Sequence, residues 1–317
     1  MDIDYLLALQ NFREATTSFF TPIATQASDF MNTFWIFAFL AVFYWLYSTK
    51  RGMILWIGFV ASRFALNVLK LIACVYRPWI REPRLKPDPD IMKHANGYSF
   101  PSGHAVTSGS LFGGLAYWLW RKRKWVAILC IIAMLLVCFS RNYLSVHTPQ
   151  DVFVGLGLGL LFVFLAPKIF DFMDKLDFKK STILLVFCLA LAIAFLVYIN
   201  LKTYPIDYID GKILVEPETM KESGYISAGE FIGFILGWWT NHNFIHYKIS
   251  RSKLCIIVAL IAIIPLFYWD SGIILLFNSF FSKGVAGMIT RALKLIYIFA
   301  LVPLILKRCQ NANEISD

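Results

Sequence analysis

Residues 181–201, STILLVFCLALAIAFLVYINL, run from Ser181 to Leu201 without a charged side chain. A helix needs about 20 mainly apolar residues to cross the hydrocarbon core of a bilayer. In lipid the backbone polar groups must pair within the segment, which a helix achieves on its own. This stretch therefore reads as a transmembrane helix. Working outward from it, the same pattern recurs at 31–48, 52–76, 104–120, 125–141, 149–170, 225–242, 253–270 and 287–306, which makes nine predicted spans. The expected fold class is all-α, a polytopic transmembrane helical bundle. Composition agrees, because 58% of the 317 residues are hydrophobic and only 16% are charged, against roughly 45–50% and about 25% in soluble domains. An ordinary soluble globule, a disordered chain and a disulfide-stapled secreted module are excluded. Cys74, Cys130, Cys138, Cys188, Cys255 and Cys309 lie mostly inside apolar runs with no CxxC pair, and read as small core residues. The net charge of +10 belongs, in so apolar a chain, to cytoplasmic loops, and no nucleic-acid partner is expected.

Orientation follows from the short loops. Lys50–Arg51, Arg121–Lys124, Lys175 with Lys179–Lys180, Lys248 with Arg251 and Lys253, and Lys307–Arg308 all fall on one side of a nine-span chain. By the positive-inside rule that side is cytoplasmic, with the amino terminus outside and the carboxyl terminus inside. Residues 1–30 open on Asp2 and Asp4 and do not read as a signal peptide. Leu6, Leu7, Leu9, Phe12, Phe19 and Phe20 fit an amphipathic helix on the membrane surface or a loosely packed amino-terminal cap.

Three polar clusters break the membrane rule, all on the predicted outer side. Lys70 precedes Arg77-Pro78 by seven residues, close to two helical turns or about 10 Å along one face. Snorkelling at a membrane edge would explain Arg77 alone, but Lys70 lies deeper. Tyr98-Ser99-Phe100-Pro101-Ser102-Gly103-His104 leads into a span. A Ser–Gly pair at a helix start offers free backbone N–H groups and a dipole that favours an anion, although ordinary capping needs the same residues. Ser140-Arg141 is followed by His147 and Asp151, within Thr148-Pro149-Gln150-Asp151, a helix start with proline in its first turn. Asp151 lies close enough to accept the Nδ1–H of His147, which leaves Nε2 unprotonated and nucleophilic. Together these groups fit a phosphate monoester. Lys70, Arg77 and Arg141 neutralise phosphoryl oxygens, His147 attacks phosphorus, and His104 protonates the leaving alcohol. No carboxylate cluster offers a two-metal site, so neither metal nor cofactor is expected.

The combination Lys-x6-Arg-Pro, Pro-Ser-Gly-His and Ser-Arg-x5-His-x3-Asp resembles the three-part signature of the type 2 phosphatidic acid phosphatase (PAP2) superfamily, in Lys70, Arg77, Pro78, Pro101, Ser102, Gly103, His104, Ser140, Arg141, His147 and Asp151. The resemblance implies a metal-independent phosphatase in which His147 forms a phosphohistidine. It also implies that His104 is the general acid and base, and that Lys70, Arg77, Ser102, Gly103 and Arg141 hold the phosphoryl oxygens. With two spans ahead of the first motif, the layout is similar to the sphingosine-1-phosphate phosphatase and glucose-6-phosphatase branches and to long bacterial relatives. The expected organisation is a cap at 1–30, a catalytic core with spans one to five at 31–175, and spans six to nine at 176–317 completing the bundle and substrate entry.

The expected substrate is a membrane phospholipid or a polyprenyl or sphingoid phosphate or pyrophosphate. It would be hydrolysed on the extracytoplasmic side of a bacterial cytoplasmic membrane. The alternatives are a phosphotransferase to a lipid or sugar alcohol, a phosphosugar phosphatase, and a lipid transporter with a vestigial site. Arg81, Arg84, Lys86 and Lys93 read as a basic lid over the pocket, and 202–224 as a solvated connector or a substrate-gating flap. Glu230 in span seven calls for a cationic partner, with Lys70 and Arg63 as candidates. Gly109/Gly113, Gly155/Gly159 and Gly233/Gly237 let helices approach closely, within the bundle or in a homo-oligomer.

Overall fold

The computed structural model describes residues 2–16, 19–29, 31, 33–87, 92, 97–209, 211–250 and 252–316; Lys93 and Arg251 lie outside them. An all-α bundle results. All nine predicted stretches are helical over most of their length. Helices α1 (Asp2–Ala15) and α2 (Thr21–Asp29) precede α3 (Thr33–Val42) and α4 (Thr49–Ala73), and a single turn, α5 (Pro78–Arg81), follows. Next, α6 starts as Gly103–Ser108, widens to a π-turn at Gly109–Gly113 and resumes over Gly114–Leu119. Then come α7 (Lys124–Tyr143), α8 (Pro149–Met173), α9 (Phe178–Leu201) and α10 (Pro217–Thr240). The last two apolar helices are α11 (Lys253–Asn278) and α12 (Lys283–Gln310). A two-stranded ribbon, β1 (Tyr208–Ile209) with β2 (Lys212–Ile213), interrupts the loop before α10.

By length and apolarity alone, six helices qualify as spans, or seven if the short helices flanking residue 30 count as one broken span. Two of the nine predicted spans, 104–120 and 225–242, are helical but fall short of that measure. The 103–119 helix is short and broken by its π-turn, and α10 is diluted by Glu230, Gly229, Gly233, Gly237 and a Trp238–Trp239 pair. The helices that do qualify keep apolar side chains outside, as α9 does with Ile183, Val186, Phe187 and Val197, which suits a hydrocarbon solvent.

Contacts divide the chain into two interleaved units. The first comprises Met1–Asn32, Ala61–Leu165 and Lys202–Lys221. Within it α1, α2 and α6 pack against α7. The amino-terminal segment is thus an integral layer: α1 buries Leu6, Gln10 and Arg13, and Arg13 Nη1 donates to the Tyr143 carbonyl at 3.1 Å. Two glycines on α8 permit its closest approaches. A Cβ on Gly155 would stand 2.6 Å from the Ser102 carbonyl oxygen, and one on Gly159 would stand 2.5 Å from that of Val106. The small-residue pairs of α6 and α8 are therefore used inside the bundle.

The second unit comprises Thr33–Val60, Ala166–Leu201 and Glu222–Asp317. Its core is aromatic: Phe37 meets Trp56 edge-on at 5.2 Å, and Trp56 meets Phe299 at 5.3 Å. Such pairs add about 0.5–1.5 kcal/mol each beyond their buried area. Glu230 is buried and its carboxylate lies 3.7 Å from Arg291 Nη1, a cation the sequence reading did not consider. Asp270 accepts from the fully buried Lys294 at 2.8 Å and lies 3.5 Å from Arg291. The charges within spans eight and nine were the available signal. One end of this unit gathers four of the five basic loops. Lys50 pairs with Asp171 at 3.3 Å, His242 Nε2 meets the Leu176 carbonyl at 2.7 Å, and Lys307 and Gln310 reach the carbonyls of Ile245 and Lys248.

Candidate active site

The first unit assembles all three motifs, beginning with the turn between α7 and α8. Helix α7 stops at Tyr143, and Ser145 adopts a left-handed φ of 57°. The Val146 and His147 N–H groups fold back on the Arg141 carbonyl at 3.1 and 3.3 Å, and Asn142 Nδ2 holds the His147 carbonyl at 2.9 Å. Tyr143, Leu144 and Val146 form a buried cluster, against which Ala24 of α2 and Trp79 pack. Full burial of a Leu or Val side chain contributes about 1.5–3 kcal/mol, so the turn carrying His147 is anchored by its neighbours. Thr148 and Asp151 cap α8 reciprocally: the Thr148 N–H donates to Asp151 Oδ2 at 2.8 Å, and the Asp151 N–H donates to Thr148 Oγ1 at 3.3 Å.

Asp151 Oδ2 and His147 Nδ1 are 3.6 Å apart, beyond a good hydrogen bond. Ser99 stands between them, with its Oγ donating to Asp151 Oδ2 at 2.5 Å and lying 3.3 Å from His147 Nδ1. Sequence reasoning quoted Ser99 without giving it a part. A serine carries no spacing signal of its own. On the other ring edge, Arg77 Nη1 is 2.8 Å from His147 Nε2. Arginine only donates, so Nε2 is the bare nitrogen and Nδ1 bears the proton toward Ser99. His147 is 2% exposed. Burial first, then the charges of Arg77, Arg141 and Lys70, hold its imidazole well below its ordinary value near 6.5.

Arg77, at the start of α5, is locked by donation from Nε to the Gly97 carbonyl at 3.0 Å and from Nη1 to the Val146 carbonyl at 2.9 Å. Lys70, near the end of α4, donates to the Tyr98 carbonyl at 3.2 Å. Arg141 and Asp151 are each 3% exposed. Ser102 precedes the Gly103 helix start without capping it, while its N–H donates to the Asp151 carbonyl at 2.9 Å. Among the described residues, the buried Ser102 Oγ and Arg141 Nε find no hydrogen-bond partner, which suits groups meant for phosphoryl oxygens. His104 sits in the first turn, within electrostatic range of Arg141, His147, Arg77 and Lys70. The structure thus brings Lys70, Arg77, His104, Arg141, His147 and Asp151 together, with Ser102 held against Asp151, while Ser140 bonds its own helix. Among the described residues no three His, Cys, Asp or Glu side chains converge as a metal site.

A cavity of about 340 Å³ adjoins Arg77 and is lined also by Trp79, Ile80, Met92, Val215 and Thr219 among others. The 202–221 segment, which supplies part of that lining, is fastened down: Tyr76 Oη donates to Asp207 at 2.5 Å, and the Tyr98 N–H meets Met220 Sδ at 3.3 Å. In the 79–87 segment, Arg81 faces Asp2 at 3.7 Å and Arg84 pairs with Glu82 at 2.9 Å. Part of the expected basic lid is therefore spent on local carboxylates.

A helical membrane bundle that gathers two histidines, an aspartate, two buried arginines and a partly buried lysine at neighbouring helix ends and turns is the arrangement the PAP2 signature describes. The comparison bears out the resemblance: residues 51–175 match the PAP2 superfamily. The chain is 35% identical over 130 residues to phosphatidylglycerophosphatase B of Bacillus subtilis, covering 39% of this chain and 59% of that protein. It is 37% identical over 123 residues to undecaprenyl-diphosphatase of Sulfolobus acidocaldarius, covering 38% and 55%. A longer match, 27% over 205 residues, links it to human sphingosine-1-phosphate phosphatase 2 and covers 62% of this chain and 46% of that protein. The chain thus spans a little over half the length of the first two relatives. No solved structure matches it significantly.

Proposed function

We propose that the protein is a metal-independent phosphatase that hydrolyses a membrane lipid phosphate or pyrophosphate through a phosphohistidine on His147. The observation that carries this reading is a buried His147 whose Nε2 lies 2.8 Å from the Arg77 guanidinium, a group that only donates and so leaves this nitrogen its lone pair. A dianionic phosphoryl group draws that guanidinium onto its oxygens and uncovers the nitrogen. Lys70, Arg141, Ser102 and the Gly103 N–H surround the remaining oxygens, so charge that builds on them in the transition state meets preorganised donors. Nε2 then bonds to phosphorus as the P–O bond breaks, and His104 gives its proton to the departing oxygen. Through Ser99, Asp151 stabilises the imidazolium formed on His147. In the second step His104 takes a proton from water, the hydroxide displaces Nε2, and inorganic phosphate leaves.

The relatives named for phosphatidylglycerophosphate and undecaprenyl diphosphate support a lipid substrate. So does a cavity lined by Trp79, Ile80, Met92 and Val215 beside a cationic centre. The alternation of the five basic loops along a nine-span chain supports a cytoplasmic face for them and an extracytoplasmic one for the motif residues. The test is phosphate release in detergent with EDTA, across phosphatidate, phosphatidylglycerophosphate, undecaprenyl diphosphate, sphingosine-1-phosphate and glucose-6-phosphate. The reading expects release from a lipid substrate by the wild type and a loss of at least about 10³-fold in His147→Ala. Release only from the sugar phosphate, or undiminished release by the variant, contradicts it.

A further inference from the structure

Helix α2 packs on α7 and ends at the catalytic pocket. There Ser28, 6% exposed, places its Oγ 2.5 Å from Arg141 Nη1 and 3.3 Å from His104 Nε2. The buried helical serines Ser108, Ser110 and Ser140 spend their hydroxyls on their own helices, each bonding the carbonyl three residues back. Ser28 instead links two site residues that are 76 and 113 positions away in sequence.

We propose that Ser28 is a positioning residue for the general acid, delivered to the site by the amino-terminal helix; this rests on the phosphatase reading. Arginine has only donors, so Ser28 Oγ accepts from Arg141 and keeps its one proton. Its second lone pair accepts the Nε2–H of His104 at 3.3 Å, which leaves Nδ1 as the nitrogen that gives and regains the catalytic proton, while the Nε2–H is present in both the neutral ring and the imidazolium. One fixed oxygen therefore serves both protonation states between which an acid–base residue alternates, with no heavy atom displaced. It also holds His104 in register with Arg141, and so with the phosphoryl oxygens the guanidinium contacts. A part in acid catalysis matters most when the leaving oxygen is a poor one, such as an aliphatic alkoxide, and least for a nitrophenolate, which departs without a proton.

The test compares kcat/KM on an alkyl phosphate, the lipid phosphate, with kcat/KM on p-nitrophenyl phosphate, using the full chain in detergent. In Ser28→Ala the alkyl-to-aryl ratio is expected to fall roughly tenfold, a fraction of the 10²–10⁴ that general acid catalysis contributes. Ser28→Thr, which keeps the hydroxyl, is expected to restore it. Ser28→Cys, with weak hydrogen bonding at similar size, gives the same readout if the alanine variant does not purify. A ratio equal to wild type, whether both activities fall together or neither falls, overturns the positioning role, because a merely structural contact affects both esters alike. If wild-type protein releases phosphate from neither ester, the phosphatase reading itself fails and the Ser28 assignment falls with it.

Discussion

At the scale of single residues, the site is a balance between burying positive charge and keeping one imidazole neutral. His147 is enclosed among Arg77, Arg141 and Lys70, and burial with those charges disfavours its protonation. The sign follows directly. With its folded-state value depressed, the neutral imidazole persists at pH values where an ordinary histidine has already charged. The acid limb of kcat/KM that reports His147 is therefore expected below pH 6.5. Arg77→Gln removes a neighbouring positive charge and is expected to move that limb upward. The same variant is expected to lose about 10²–10³-fold in rate, because the proposed function makes Arg77 a donor to the phosphoryl oxygens. A pH–rate series on the two proteins checks both effects, and an unmoved or lowered limb contradicts the account. The motif residues were legible because Lys, Arg, His and Asp are costly beside a membrane and recur at intervals that bring them together. Ser99 and Ser28 were not, since a hydroxyl is cheap to place anywhere and only the folded geometry shows what it touches.

At the scale of elements, apolar length read the helices well and their breaks poorly. Hydropathy reports how greasy a stretch is, not how its backbone hydrogen bonds are shifted. The π-turn at Gly109–Gly113 was accordingly invisible in a run that otherwise looks like a uniform span. Helix packing is more specific. Gly155 lets α8 approach the Ser102 loop, whereas a Cβ on Gly157 of the same helix would meet nothing within 4 Å. Gly155→Ala is thus expected to push on the Ser102 carbonyl and cost about 1–3 kcal/mol of fit, lowering both activity and thermal stability in detergent. Gly157→Ala should match wild type. Equal behaviour of the two variants in a paired activity and melting measurement would show that the α8 approach is not what positions Ser102.

At the scale of the whole molecule, the chain weaves between two units, so no single cut in the sequence separates them. All motif residues fall in the first, while the second has its own charged group, in which the buried Glu230 and Lys294 meet the partly exposed Arg291 and Asp270. That weave was illegible because it depends on which helices touch, and hydropathy assigns no partners. Its consequence is that the amino-terminal helices reach Arg141 and His104 through Ser28, while the 202–221 segment is tied to Tyr76 and Tyr98 beside the motifs. The claim that unites these layers is that the His147 imidazole becomes covalently phosphorylated. The direct measurement is rapid-quench labelling with ³²P-lipid phosphate under alkaline conditions, which preserve a P–N bond, followed by mapping of the label. The account predicts a transient, acid-labile, alkali-stable phosphoryl group on His147 that is absent from His147→Ala. Turnover with no such species, or with the label on another residue, would contradict it.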